Sequence, residues 1–131
     1  MSTYIIKLHI RWSFQKYGVN IKIEKQVPHY SLAKLKRLIE EGKYRFTFSS
    51  KKTLVEDFSI TTEEALDTIL KLTGKDLYKS MQSHENAALW QDVYHKNIGN
   101  KTAYIKLQIN MTDNAIIISF KRKWGTKDEK W

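Results

Sequence analysis

The sequence predicts an α+β fold in which helices cover one face of an antiparallel sheet. Residues 76–123 contain runs in which apolar and polar residues alternate, the period of a half-buried strand. Turn-forming residues separate these runs, so the segment predicts a four-stranded antiparallel meander. Helical patterns precede the meander, and helices followed by a one-sided sheet favour α+β packing. We therefore expect one apolar face under the helices and one polar, basic face.

The chain begins with two further alternating runs, at residues 4–14 and 19–24. Gly18 lies between them, and together they predict an N-terminal β-hairpin within residues 1–26. The hairpin either extends or covers the main sheet, or it supplies an additional basic surface. The basic residues of that surface would be Lys7, Arg11 and Lys22.

The first predicted helix follows a linker around Pro28. Ser31 is a suitable N-cap and Gly42 a suitable end. Apolar residues recur along one side of this helix: Leu32, Leu35, Leu38 and Ile39.

Two more elements precede the meander. Residues 44–48 predict a short strand or an extended connection, and Ser49 or Ser50 could cap a brief helix over residues 51–57. The pattern from Thr61 to Glu64 is a capping box, which predicts another helix that ends before Gly74.

The strands of the meander differ in how clearly they alternate. Residues 103–109 place apolar side chains on one side only, whereas residues 89–98 are mixed. Residues 115–123 are apolar on both sides, and strict alternation predicts two sets for them. The sets are Ile116, Ile118 and Phe120 against Ile117, Ser119 and Lys121.

Length and charge narrow the class of protein. A chain of 131 residues predicts a single domain, 1–131, with a hairpin extension (1–26), a core (27–123) and a basic tail (124–131). The formal net charge of +9 favours an anionic partner, most commonly nucleic acid. The alternative reading of the charge is a solvated surface without a partner.

The sequence also argues against several chemical classes: disulfide-bonded, membrane-spanning, metal-dependent and cofactor-dependent proteins. It has no cysteine, which excludes disulfides, a thiol nucleophile and a cysteine metal site and fits a cytoplasmic protein. The N-terminal stretch is too short and too charged for a membrane span. Phosphate-binding glycine loops and metalloprotease or hydrolase motifs are absent, so we expect no metal and no cofactor. The histidines are scattered and are interpreted as surface or capping residues: His9, His29, His84 and His95.

Strand register brings four polar residues to the basic face. A first turn about Glu85 places Lys79 opposite Gln91, and a last turn at 112–113 places Tyr104 opposite Lys121. A two-residue turn within 97–100 keeps the middle strands in phase. One slipped residue would reverse a strand, so these turn lengths are assumptions.

Lysine, tyrosine and glutamine on a basic face suit the metal-free cleavage of RNA. In that reaction the 2′-hydroxyl attacks the adjacent phosphorus and the 5′-oxygen of the next nucleotide leaves. Lysines stabilise the added charge on the phosphoryl oxygens. A tyrosine, or a lysine with a shifted pKa, can transfer a proton, and glutamine can orient the substrate.

Four segments resemble the MqsR family of bacterial toxins. They are residues 76–81 (Asp-Leu-Tyr-Lys-Ser-Met), 89–94 (Leu-Trp-Gln-Asp-Val-Tyr), 103–106 (Ala-Tyr-Ile-Lys) and 118–121 (Ile-Ser-Phe-Lys). An earlier pattern from Pro28 to Gly42 resembles the start of the family, so the likeness covers about residues 27–123. The resemblance implies a RelE-like α+β fold, cleavage of messenger RNA and neutralisation by an MqsA-type protein antitoxin.

Carried over residue by residue, the resemblance implies catalytic roles for Lys79, Gln91, Tyr104 and Lys121. It also implies RNA contacts by Tyr78 and Met81. Further candidate RNA contacts on the basic strands are Lys106, Arg122 and Lys123.

The chain departs from the family pattern at three places. Residues 1–26 have no counterpart in that pattern, and His95-Lys96 stand where the family often has arginine, which affects substrate choice. The tail 124–131 is longer than expected. Its Lys127 and Lys130 either follow phosphates or belong to a solvated end.

Two other functions remain open at this point. The same face could bind single-stranded nucleic acid without cleaving it, by stacking bases on Tyr78 and Tyr104. Alternatively, the hairpin could present an exposed edge to a protein partner.

Overall fold

The computed structural model describes residues 6–12 and 19–124, with side chains from Ile23 onward. The expectations for the basic side chains Lys7, Arg11 and Lys22 and for the tail beyond Trp124 lie outside the described side chains. Within the described ranges the fold is α+β, as the sequence predicts.

The later strands form the predicted meander. They are β4 (Leu77–Gln82), β5 (Trp90–Ile98), β6 (Lys101–Ile109) and β7 (Ala115–Lys123). Each pairs antiparallel with the next along the chain. Gly99, with a φ of +61°, lies in the two-residue turn between β5 and β6, a conformation that glycine adopts without strain.

Earlier strands complete the sheet at both ends. These are β1 (Ile6–Trp12), β2 (Val19–Lys25) and β3 (Tyr44–Phe46), and the order is β1-β2-β4-β5-β6-β7-β3. β1 pairs antiparallel with β2, and β2 pairs antiparallel with β4 through Glu24 and Lys25. β3 runs parallel to β7, a pairing that the sequence pattern did not predict. The residues that join β1 to β2 lie outside the described ranges.

Within the described residues, three helices follow local capping rules. They are α1 (Leu32–Glu40), α2 (Phe48–Phe58) and α3 (Thr62–Leu70), and a short 3₁₀ turn (Gly74–Asp76) leads into β4. Ser31 caps α1 and Thr61 forms the predicted capping box of α3. The prediction for α2 was wrong about its start, because Thr47 rather than Ser49 or Ser50 is the N-cap and accepts a hydrogen bond from the Ser50 amide.

The helices cover one face of the sheet and form the hydrophobic core with it. From the helices the core takes Leu35, Leu54 and Ile69, which are at most 1% exposed; from the strands it takes Tyr94, Ile105, Leu107, Ile117 and Phe120. We call this side the helix-covered face and the opposite side the open face. No helix of residues 6–12 and 19–124 is long and apolar enough to cross a membrane.

A bulge in β7 corrects the predicted facing of that strand. Lys106 pairs with Ser119 and Leu107 pairs with Ile117, so one extra residue, Ile118, stands between them on β7. Ile117 therefore joins the core together with Phe120, whereas strict alternation predicted opposite sides for them.

Candidate active site on the open face of the sheet

The open face collects the polar residues that strand alternation turns away from the helices. Tyr94 and Ile105 are buried in the core, so their neighbours His95 and Tyr104 lie on the open face. Cross-strand pairing extends this face over the central strands. Its members include Tyr78, Lys79, Gln91, His95, Tyr104, Lys106, Lys121 and Lys123.

A bulge in β4 places two successive residues on the open face. Leu77 pairs with Tyr94 and packs against the core, whereas Lys79 pairs with Val93, with a register shift between Leu77 and Lys79. Tyr78 stacks on His95, so it also lies on the open face. The bulge thus presents both a phenol and an ammonium group at one point of the strand.

A row of side chains crosses four strands of the open face. The rings of Tyr78 and His95 are stacked with centroids 4.2 Å apart, and the centroids of His95 and Tyr104 are 6.0 Å apart. Lys121, the cross-strand partner of Tyr104 as predicted, places its Nζ 5.2 Å from the centre of the Tyr104 ring. We call these four residues the central row.

Lys79 lies beside the central row and is held by a carboxylate. Its Nζ is 5.4 Å from the centre of the Tyr78 ring and 2.8 Å from Oε1 of Glu24. The side chains of Lys79 and Glu24 are 18% and 11% exposed. This ion pair is therefore largely withdrawn from water, which makes it stronger than a surface pair and more costly to break.

Burial shifts the proton affinity of two members of the central row. It raises the pKa of Tyr104 to about 12, with help from the neighbouring Tyr78 and Glu24. Burial also lowers the pKa of the Lys121 ammonium group, against the opposing field of Asp57. At neutral pH Tyr104 consequently keeps its phenolic proton, and Lys121 gives up a proton more readily than an exposed lysine does.

His95 is the central residue that the sequence interpretation passed over. Burial and the nearby Lys123 and Lys79 lower its pKa to about 4, so the ring is neutral at physiological pH. Its Nε2 is buried and has no hydrogen-bond partner among the described residues. A sequence signal was present, because alternation from the buried Tyr94 puts His95 on the basic face.

Apolar side chains form the floor of the open face. Val93 is fully buried although it points away from the helices, and Met81 is 3% exposed. The RNA contact by Met81 that the resemblance implies stays a prediction, and the side chain that would make it is nearly fully buried. Tyr78, at 47% exposure, remains accessible for stacking.

The predicted register of the first pair was wrong by two residues. Gln91 pairs with Met81, and Lys79 pairs with Val93. An even shift preserves the face, so Gln91 stays on the open side. It lies four residues along β5 from His95, however, or about 13 Å at the rise of a strand. Gln91 is nearer to Lys79, because it lies two residues along β5 from Val93, the cross-strand partner of Lys79.

The further basic candidates on β6 and β7 fall on different faces. Lys106 pairs with Ser119 on the open face, and its Nζ is 5.8 Å from the centre of the Tyr104 ring. Lys123 faces the same way and acts on the pKa of His95. Arg122 pairs with the buried Ala103, on the helix-covered side, and its guanidinium lies 4.2 Å from the Trp124 ring. From this placement we expect it to take no part in RNA binding on the open face.

Glu24 is the second residue of this site that the sequence interpretation missed. Its Cα partner is Met81, which places it on the open face at the edge of β4. The alternating pattern of residues 19–24 predicted a strand, but no local signal places that strand against β4, 55 residues along the chain. Among the described side chains, no three histidine, aspartate or glutamate residues lie close enough together to hold a metal ion.

The fold and the site together define a class of protein: an α+β domain whose open sheet face presents lysines around aromatic rings. Such faces accept phosphodiesters and stack bases. A family model described as "Motility quorum-sensing regulator, toxin of MqsA" matches residues 27–122. The chain is also similar to the mRNA interferase toxin MqsR of Escherichia coli (strain K12). The two are 31% identical over 101 residues, which are 77% of this chain and the whole of that relative.

This chain belongs to the MqsR toxin family. Neither β1 nor β2 falls within the residues that the family model matches, so the carboxylate of Glu24 comes from outside that region.

Proposed function

We propose that the protein is an endoribonuclease that cleaves messenger RNA on the open face of its sheet. The central row carries this proposal: Tyr78, His95, Tyr104 and Lys121 lie side by side on four strands, with Lys79 next to them. The similar toxin from Escherichia coli is named an mRNA interferase, which supports the same activity here. In this account the fold is RelE-like and the protein acts in the bacterial cytoplasm.

The proposed reaction is attack by the 2′-hydroxyl on the adjacent phosphorus, with departure of the 5′-oxygen of the next nucleotide. The products are a 2′,3′-cyclic phosphate and a 5′-hydroxyl. Charge builds on the phosphoryl oxygens during the reaction, and the ammonium groups of Lys79 and Lys121 stabilise it. No metal ion takes part in this scheme.

Tyr104 is the proposed proton donor to the leaving oxygen. Its raised pKa keeps the proton on the phenol until an alkoxide, a far stronger base than phenolate, forms beside it. Lys121, near the same ring, stabilises the phenolate that remains.

The other open-face residues are proposed to bind RNA. Tyr78 is exposed enough to stack a base, and Lys106 and Lys123 provide charges for neighbouring phosphates. Gln91 lies two residues along β5 from Val93, the cross-strand partner of Lys79, so it is placed to orient the RNA beside that lysine. It suits a hydrogen bond to an adjacent nucleotide.

We further propose that the protein is the toxin of a type II pair that an MqsA-type protein antitoxin neutralises. The description of the matching family, a toxin of MqsA, supports this partner. Expression of the chain alone should arrest growth, and co-expression of the cognate antitoxin should restore it.

Cleavage is tested with the purified protein, a long transcript and EDTA. We expect cuts that leave 2′,3′-cyclic phosphate and 5′-hydroxyl ends, and no cut where the attacking nucleotide is replaced by its 2′-deoxy form. A salt-sensitive gel shift with intact RNA would instead identify a non-catalytic binding protein.

A further inference from the structure

The carboxylate of Glu24 enters the candidate active site from β2, outside the region that the family model matches. Glu24 is 8% exposed, and its Oε1 lies 2.8 Å from Nζ of Lys79. The backbone pairing of Glu24 with Met81 fixes its position at the edge of β4. An acidic side chain is thus built into a face that otherwise attracts phosphate.

Burial of this carboxylate costs free energy, which favours a role for Glu24 beyond stability. An ion pair buried away from water commonly contributes no more to folding stability than apolar residues of similar volume would. The negative charge also opposes the binding of a polyanion. Four lysines on the same face, Lys79, Lys106, Lys121 and Lys123, outweigh it electrostatically. The site can therefore hold a carboxylate and still bind RNA.

The proposed reaction needs a group that accepts the proton of the 2′-hydroxyl. Tyr104 holds its own proton, and the lysines act as cations. The neutral His95 is stacked against Tyr78, and its Nε2 is buried and inaccessible to a substrate hydroxyl. Glu24 is a proton acceptor beside Lys79, and it lies near enough to Tyr104 to help raise the pKa of that phenol.

We propose that Glu24 is the general base of RNA cleavage, an inference that rests on the proposed ribonuclease function. Its carboxylate takes the 2′-hydroxyl proton as the 2′-oxygen forms a bond to phosphorus. The bond from phosphorus to the 5′-oxygen breaks, and that oxygen takes the phenolic proton of Tyr104. Solvent then removes the proton from Glu24 and returns one to Tyr104. Lys79, released from its ion pair when Glu24 is protonated, stabilises the charged phosphoryl oxygens.

Two substitutions separate this role from a structural one. Glu24→Gln keeps an oxygen that accepts a hydrogen bond from Lys79 but removes the basic group. Glu24→Asp keeps the basic group but withdraws it by one methylene. A general base predicts that the Gln variant loses roughly 10²–10⁴-fold in single-turnover cleavage rate while its affinity for a non-cleavable 2′-deoxy oligonucleotide is unchanged or tighter. The Asp variant should retain more activity than the Gln variant.

Other roles for Glu24 predict a different order of cleavage rates among the wild type and the two variants. If Glu24 only positions Lys79, the Asp variant would be the slower of the two, and this result would overturn the proposal. If Glu24 only blocks the site, both variants would cleave faster than the wild type, and this result would also overturn the proposal. Glu56→Gln, which removes a carboxylate from the far side of the sheet on α2, is the matched control and should cleave at the wild-type rate.

A substrate with sulfur in place of the leaving 5′-oxygen distinguishes the base from the acid. A thiolate leaves without a proton, so this substrate should restore much of the rate of Tyr104→Phe but not that of Glu24→Gln. Restoration of the Glu24→Gln rate would contradict the proposal. If the wild-type protein itself cleaves no RNA, the proposed function fails. If it cleaves and Glu24→Gln cleaves equally well, only the role of Glu24 fails.

Discussion

His95 stacks on Tyr78 with ring centroids 4.2 Å apart and ring planes 20° from parallel. The contact joins β4 to β5 on the open face. Because burial and two lysines keep the imidazole neutral, the ring adds no charge to the site. It acts as an aromatic support between Tyr78 and Tyr104.

The neutral state of His95 predicts a loss of stability in mild acid. Above pH 6.5 the imidazole is neutral in both the folded and the unfolded protein, so it contributes nothing to the pH dependence. As the pH falls from 6.5 to about 4, the imidazole takes up a proton in the unfolded chain but stays neutral in the folded protein. The free energy of unfolding therefore decreases over this range. His95→Phe keeps a stacking ring without a titrating group and should flatten this part of the profile.

Urea unfolding at half-unit steps from pH 7.5 to 4 measures the effect. Parallel profiles for the wild type and His95→Phe would contradict the prediction.

The pair of Lys79 and Glu24 should show strong coupling in a double-mutant cycle. Lys79→Met leaves a buried carboxylate without its ammonium partner, and we expect it to lower the free energy of unfolding by about 3 kcal/mol. Adding Glu24→Gln to Lys79→Met should recover most of that loss, because it removes the buried negative charge that Lys79 had balanced. Additive single effects in urea unfolding would show that the pair is not coupled.

The exposed pair of Lys52 and Glu56 on α2 provides the comparison. Its atoms are 3.8 Å apart and its side chains are 64% and 53% exposed, so Lys52→Met should change the free energy of unfolding by no more than about 0.5 kcal/mol.

Asp92 on β5 links the central sheet by hydrogen bonds to the residues just before α1. It is fully buried, and its two carboxylate oxygens accept hydrogen bonds from the backbone amides of His29 and Tyr30 at 2.9 and 2.8 Å. Asp92→Asn replaces one acceptor oxygen with an amide group that cannot accept, so one backbone donor is left unpaired. We expect a loss of about 2–3 kcal/mol in the free energy of unfolding.

Asp113→Asn is the control for this substitution. Asp113 is exposed and has a φ of +54°, which asparagine also tolerates. Equal thermal and urea stability of Asp92→Asn and the wild type would contradict the anchoring role.

Sequence patterns predicted the fold well where side-chain periodicity alone decides the structure. The meander, the caps at Ser31 and Thr61 and the pairing of Tyr104 with Lys121 all follow from local rules. The facing of β7 did not follow, because the extra residue at Ile118 interrupts alternation without any glycine or proline to mark it. No residue pattern in the sequence predicts the bulge in β4 either.

In the candidate site, too, strand alternation predicted the positions of some residues, whereas others depend on contacts between distant parts of the chain. Lys79, Tyr104 and Lys121 were placed together by parity, and even the two-residue error in register left Gln91 on the correct face. Glu24 could not be placed, because its contact with Lys79 depends on how β2 meets β4 across 55 residues of chain. Arg122 lies on the other face from Lys121 and Lys123, a difference that alternation along β7 indicates and that the basic run alone does not.

Three successive basic residues provide a test of which face binds RNA. Lys121 and Lys123 lie on the open face, and Arg122 between them lies on the helix-covered side. Lys121→Met or Lys123→Met should each reduce the slope of log affinity against log salt concentration by about 0.7, the value for one phosphate contact on a single strand. Arg122→Met should leave the slope unchanged.

Fluorescence anisotropy with a non-cleavable 2′-deoxy oligonucleotide measures these slopes. An equal reduction by all three variants would indicate a general charge effect and contradict binding on the open face.

The most direct test of the account is the single-turnover cleavage rate of Tyr104→Phe on a short RNA with one cleavage site. The substitution removes one oxygen, keeps the ring between His95 and Lys121, and should preserve the circular dichroism spectrum and the affinity for RNA. If the open face is the active site and Tyr104 donates the proton, the rate should fall roughly 100-fold or more. A wild-type rate from the folded variant would contradict the central claim.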